Sequence, residues 1–175
     1  FWLGLSNLLS ILALGLVYGK VFSVDNFKSY FLYLGLGLVI WNSLSSSILS
    51  APQLFSQHSG NIRNMNIRPI FYTFEEWAFQ LQTFLQSFSL VFFSLSLLQP
   101  NIILNLLLTI WLPLLNLILF IYWFPLLVCL VGTWYKDLSQ LVPVILQIVF
   151  LVSPILYKKE NLGSIDWIVN INLFY

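Results

Sequence analysis

Charge is what this chain has least of. Charged residues make up 7% of the 175, where an ordinary soluble domain carries about 25%. Seven Lys+Arg and 6 Asp+Glu cannot cover the surface of a water-soluble fold of this size, so the apolar surplus is expected to face lipid. The formal net charge of +1 removes the electrostatic case for nucleic acid. A single cysteine, Cys129, rules out an intramolecular disulfide. A single histidine, His58, rules out an H-E-x-x-H zinc site. No G-x-x-x-x-G-K-[ST] run is present, so ATP hydrolysis through a P-loop is not expected. No basic stretch precedes the first apolar segment, and no signal peptide is expected. The chain opens at Phe1 inside one apolar run and stops at Tyr175 in another, which reads as a fragment lacking both ends.

What remains is apolar: 59% hydrophobic residues, 18% aromatic. A spanning helix needs about 20 mostly apolar residues. Residues 1–19 carry no charge and predict a first span. Lys20, Asp25 and Lys28 mark a loop, and 30–50 predicts a second span. From 51 to 69 the chain turns polar, with Pro52, Gln53, Gln57, His58, Arg63 and Arg68. No charge separates Glu76 from Lys136. One helix across that stretch would run roughly 90 Å at about 1.5 Å per residue, nearly three hydrocarbon cores, so it must turn. Gln99-Pro100-Asn101 is the only turn chemistry, which predicts spans over 70–98 and 102–133. Pro113 and Pro125 are isolated within the second of these and predict a kink. Lys136-Asp137 closes it, and 138–157 predicts a fifth span. The expected fold is an all-α, polytopic membrane helix bundle. Placing the connector and Lys136 on one side leaves Lys20, Lys28, Lys158 and Lys159 on the other, so the positive-inside rule does not orient it.

Candidates for chemistry are few, and no catalytic, cofactor-binding or metal-binding residue is expected. Glu75 and Glu76 point about 100° apart on a helix, unsuited to a matched acid and base. They complement a helix dipole or form a charged collar at a channel mouth. The third span has two neighbouring polar stripes: Glu75, Gln82, Gln86 and Ser89, and beside them Glu76, Gln80, Thr83 and Ser87. Lipid would reject such faces. They bond to other helices or line a hydrated path, and the path reading has the Gln80–Gln86 face turned inward, with the first, third and fifth spans around it. Gly15 and Gly19 form a G-x-x-x-G, and Ser43, Ser46, Ser47 and Ser50 put small residues on the second span, both suited to close helix packing. Trp41, Trp77, Trp111, Trp123 and Trp134 suit interfacial belts, packing, or stacking on sugar rings.

The run Asp137 to Tyr157 resembles the permease subunit of ABC-2 type polysaccharide exporters, which move O-antigen, capsular polysaccharide or teichoic acid across the bacterial inner membrane. Asp137, Val142, Pro143, Leu146, Gln147, Ser153, Pro154, Ile155 and Tyr157 match its pattern. Gly37, Trp41, Asn42 and Ser45 to Ser47 resemble the family's second span, and the stretch ending Arg68-Pro69 stands where the family has a basic residue and proline. Two features depart from it: Tyr135-Lys136 replaces paired arginines, and Asn170-Ile171-Asn172 lacks a proline.

The resemblance implies a multi-pass ABC-2 transmembrane domain of about six spans in the inner membrane, working as a homodimer with a separate ATPase subunit that binds the ATP. It implies a cytoplasmic coupling connector over 51–69 and an outer gate segment over 158–175. Coupling is expected at Ser59, Asn61, Arg63, Asn64, Asn66, Arg68, Lys136 and Asp137. The path for a polysaccharide or lipid-linked glycan is expected at Glu75, Trp77, Gln82, Gln86, Trp41, Ser153 and Tyr157. The chain itself is then a transport subunit and not an enzyme. Three alternatives compete: a permease for a drug or other small substrate, a membrane-embedded transferase acting on lipid-linked sugar, and a scaffold. The transferase would need several His, Asp or Glu at membrane depth, and only Glu75 and Glu76 come close.

Overall fold

The computed structural model describes residues 2–21, 27–64, 67–98, 109, 111–153 and 155. Every element among them is helical, and they contain no strand. In chain order these are α1 (Trp2–Val21), α2 (Phe27–Ser50), a 3-10 turn (Ala51–Gln53), α3 (Leu54–Gln57), α4 (Ser59–Asn64), α5 (Ile70–Leu98), α6 (Trp111–Trp134) and α7 (Leu138–Val152). The expected turn at Gln99-Pro100-Asn101, the start of the fourth span, Asn66, Tyr157 and the segment 158–175 lie outside the described residues.

α2 is the centre of the bundle and packs against α1, α5, α6 and α7. Its Tyr30, Leu34, Leu38 and Val39 join Ile11 of α1 and Phe84 and Val91 of α5 in the main apolar core. The spacing from Tyr30 through Leu34 to Leu38 is four residues, the rhythm of one helix face. Serines 43, 45, 47 and 50 each donate to a carbonyl three or four residues back on α2. Their hydroxyls are therefore satisfied within the helix, and their small volume lets α5 approach.

Among the described residues, two helices are long and apolar enough to cross a membrane: Tyr33–Gln57, which runs on through the 3-10 turn, and Trp111–Trp134. α6 differs sharply from α2 in its surroundings. Only 11% of its most apolar stretch is buried, against 44% for the α2 stretch. Leu112, Leu115, Leu119, Trp123, Leu127 and Leu130 are all exposed. α6 continues through Pro125 as one helix. Proline removes one backbone donor and bends a helix without reversing it.

Two expectations differ from what is observed. A polar connector was expected to begin at residue 51. Its first half instead packs: Ala51, Pro52 and Leu54 are buried, and Ala51 and Leu54 form a second core with Cys129 of α6. Pro52 sits in the first turn of the 3-10 element, where a missing N–H costs little, so the helical path continues instead of breaking. The fifth helix was expected to reach 157. It stops at Val152, and Ser153 takes an extended backbone, φ −73° and ψ 135°. Ser153 precedes a proline, and the proline ring disfavours α geometry in the residue before it.

The joint between the connector and α6 is tight at Gly132. A Cβ built there would lie 2.7 Å from both the Cα and the carbonyl oxygen of Pro52. The tight end of α2 is thus held against the last turns of α6, next to the exposed Lys136-Asp137 turn that leads into α7.

Candidate functional site

The strongest polar feature is a buried seam where α1, α2 and α5 meet. α5 turns one stripe into the bundle: Thr73, Gln80, Phe84, Ser87 and Val91 are all buried. Their spacings of 7, 4, 3 and 4 keep them on one side of the helix. Gln80 is 7% exposed and Ser87 only 1%. In the lower part of the seam, Ser46 Oγ donates to Gln80 Oε1 at 2.8 Å, and Gln80 Nε2 donates to Glu76 Oε1 at 2.8 Å. In the upper part, Asn42 Nδ2 donates to Asn7 Oδ1 at 3.4 Å, and Asn7 Nδ2 donates to Ser87 Oγ at 2.9 Å. Asn42 and Ser46 are one turn apart on α2, so the two chains of hydrogen bonds follow one another along the same interface. No buried side-chain nitrogen or oxygen among the described residues lacks a partner. Fully satisfied amides and hydroxyls of this kind fix helix register and angle in an apolar setting.

The seam opens near the connector. Glu76 also lines a pocket with Leu54, His58, Tyr72, Glu75 and Phe79, of about 350 Å³. His58 stacks on Tyr72 with ring centres 4.3 Å apart. At the other flank, Trp77 reaches α6: its Nε1 donates to the carbonyl of Ile118 at 3.3 Å, and its ring meets Tyr122 edge-on at 5.6 Å.

The residues expected to line a path are not brought together. Trp41 faces Phe150 at 5.4 Å and borders an apolar cavity of about 420 Å³ between α2, α6 and α7. Trp77 packs on α6, and Ser153 is buried beyond the end of α7. Gln86 is half-buried, while Glu75 and Gln82 are exposed. Of the expected inward face of α5, Gln80 turns in and Gln82 turns out, because two residues along a helix rotate the side chain by about 200°. α7 packs on α2 and α6, and its Phe150 reaches the core that α1, α2 and α5 share.

Of the expected coupling residues, Ser59, Asn61, Arg63 and Asn64 form α4, and Arg68 is exposed just before α5. Lys136 and Asp137 are exposed in the α6–α7 turn, at the same pole as the 3-10 turn. α4 itself is two-faced: Ser59, Ile62 and Arg63 border a cleft toward α5 and α6, and Gly60, Asn61 and Asn64 are exposed beyond it. Asn7 was not among the expected residues. Its signal was present all the same: a lone amide in the charge-free apolar run 1–19 needs a partner.

No protein-family model matches the chain, and no curated protein matches it.

Proposed function

We propose that this chain is the membrane-spanning subunit of an ATP-driven exporter that moves a polysaccharide or lipid-linked glycan across the bacterial inner membrane, with a separate ATPase subunit and a second copy of itself. The observation that carries the reading is the pole of the bundle where α4 and the Lys136-Asp137 turn stand exposed together, tied through Pro52 and Gly132 to α6. A motor bound there would push on α2 and α6 at once. The run from Asp137 to Tyr157, with its likeness to ABC-2 polysaccharide permeases, supplies the substrate class. The outward position of Gln82 supports a path formed between two copies rather than within one. An unpaired amide in hydrocarbon costs about 4–8 kcal/mol, so in the membrane that face meets protein or water.

The test is export. Deleting the chain in the producing cell should remove the surface polysaccharide and leave its precursor inside; unchanged surface polysaccharide rejects the reading. Asn61→Glu with Asn64→Glu, on the outer side of α4, should lower export about tenfold or more while the protein inserts normally. Leaving a charge unpaired in a protein interface costs about 2 kcal/mol or more. A second reading, a permease for a small apolar substrate, is favoured by the cavity between α2, α6 and α7, which has no polar lining. It predicts normal surface polysaccharide in the deletion and a gain in sensitivity to an apolar drug.

A further inference from the structure

A cleft of about 620 Å³ lies between α4, the start of α5 and the side of α6. One edge carries Arg63 and Ser59 of α4 and Thr73 of α5. Its walls are apolar: Phe55 and Ile62 from the connector, Leu126 and Leu130 from α6. Charge is segregated around it. From Ala51 to Phe74 there is no Asp or Glu, while the same stretch holds Arg63 and Arg68. Glu75 and Glu76 line a different pocket, with His58.

The depth of the cleft identifies its occupant. Leu130 and Leu126 stand four and eight residues before Trp134, the last residue of α6. At about 1.5 Å per residue they lie roughly 6 and 12 Å from the helix end; with α6 taken as a span that ends at the water interface, that range covers the headgroup layer and the start of the acyl chains. On that placement lipid, and not a partner on the aqueous side, reaches the leucine walls. A molecule that meets a guanidinium at the rim and leucines below it carries an anionic head and a hydrocarbon tail.

We infer that this cleft binds an anionic phospholipid, its phosphate on Arg63 and its chains along Leu126 and Leu130. The two sides of α4 then have separate tasks: Arg63 holds lipid, and Asn61 and Asn64 face the aqueous partner. The inference rests on the placement of α6 in a membrane and not on what the chain exports, so its failure leaves the export reading standing.

The experiment uses the purified full chain in nanodiscs of equal parts phosphatidylglycerol and phosphatidylcholine with identical acyl chains, with co-purifying lipid measured by native mass spectrometry. Phosphatidylglycerol should be retained about fivefold over phosphatidylcholine, the ratio equivalent to about 1 kcal/mol for one basic residue at an anionic surface. Arg63→Gln should bring the ratio to about one, and Arg63→Lys should keep most of it, because lysine retains the charge. Asn61→Ala, on the other side of α4, should leave it unchanged. Equal retention of the two lipids by the unaltered chain overturns the inference, as does a ratio that Arg63→Gln does not move. Displacement of phosphatidylglycerol by inorganic phosphate alone also overturns it, since a phosphate site without chain contacts needs no lipid.

Discussion

Replacing Gly132 by alanine is expected to destabilise the purified chain by about 2–3 kcal/mol, toward the upper end of the usual cost of overpacking. The added methyl would lie 2.7 Å from the Cα and the oxygen of Pro52. Those are backbone atoms, so no side chain can swing aside. Either the 3-10 turn or the last turns of α6 must move. Ala51, Leu54 and Cys129 then lose their packing, because they form the core of that same joint. Gly60 offers the contrast. It lies within α4, and a Cβ there meets nothing within 4 Å. Gly60→Ala should therefore raise stability by about 0.5 kcal/mol, through the narrower unfolded ensemble. Equilibrium unfolding in detergent reads both. Identical midpoints for Gly132→Ala and the unaltered chain would mean that the turn and α6 are not held together. Within the exporter reading, the same substitution should also weaken the link between the connector and α6, lowering export at a given protein level.

The outline of the helices was legible in the sequence because charge is so rare. The polar stretch ending at Arg68-Pro69 marks one end of the third helix and Gln99-Pro100 the other, and α5 covers Ile70–Leu98 as expected, with Glu75 and Glu76 beyond its first turn. Pro52 misled for a physical reason. Read from the sequence, Pro52 and the polar residues after it end a span, but the chain tightened into a 3-10 turn and kept going. The seam was half legible. Two polar stripes on α5 sit side by side, both unfit for lipid, and periodicity alone does not say which one faces the bundle. That choice was made by partners on other helices: Asn7, itself held by Asn42, donates to Ser87, and Ser46 donates to Gln80. Such partners are 34 to 80 residues away in sequence, and no local pattern announces them. The two faces of α4 were also hidden, since a six-residue helix shows its sides only once α6 stands next to it.

Gln80 and Gln82 separate packing from transport more cleanly than any other pair. Gln80→Leu should destabilise the chain by about 1–2 kcal/mol, because it breaks two interhelical or side-chain hydrogen bonds at a buried position. Such bonds between membrane helices average about 0.6 kcal/mol and reach about 1.7. Glu76 also loses the amide that donates to its Oε1 at 2.8 Å. Ser46 loses less, since its hydroxyl also lies 3.1 Å from the carbonyl of Ser43. A double-mutant cycle with Ser46→Ala should therefore show a coupling of well under 1 kcal/mol, with most of the Gln80 effect remaining in the Ser46→Ala background. Gln82→Leu should behave in the opposite way. Gln82 is exposed on a single chain, so its loss should change stability by no more than about 0.5 kcal/mol. If that face meets a second copy across a hydrated glycan path, export should fall severalfold although the protein remains abundant. If it merely packs against the second copy, abundance and the dimer should fall together. Normal export and normal dimerisation in Gln82→Leu would reject both, and would mean that the outer stripe of α5 borders neither a substrate nor a partner. A Gln80→Leu chain as stable as the original would reject the seam itself, since leucine can neither accept from Ser46 nor donate to Glu76.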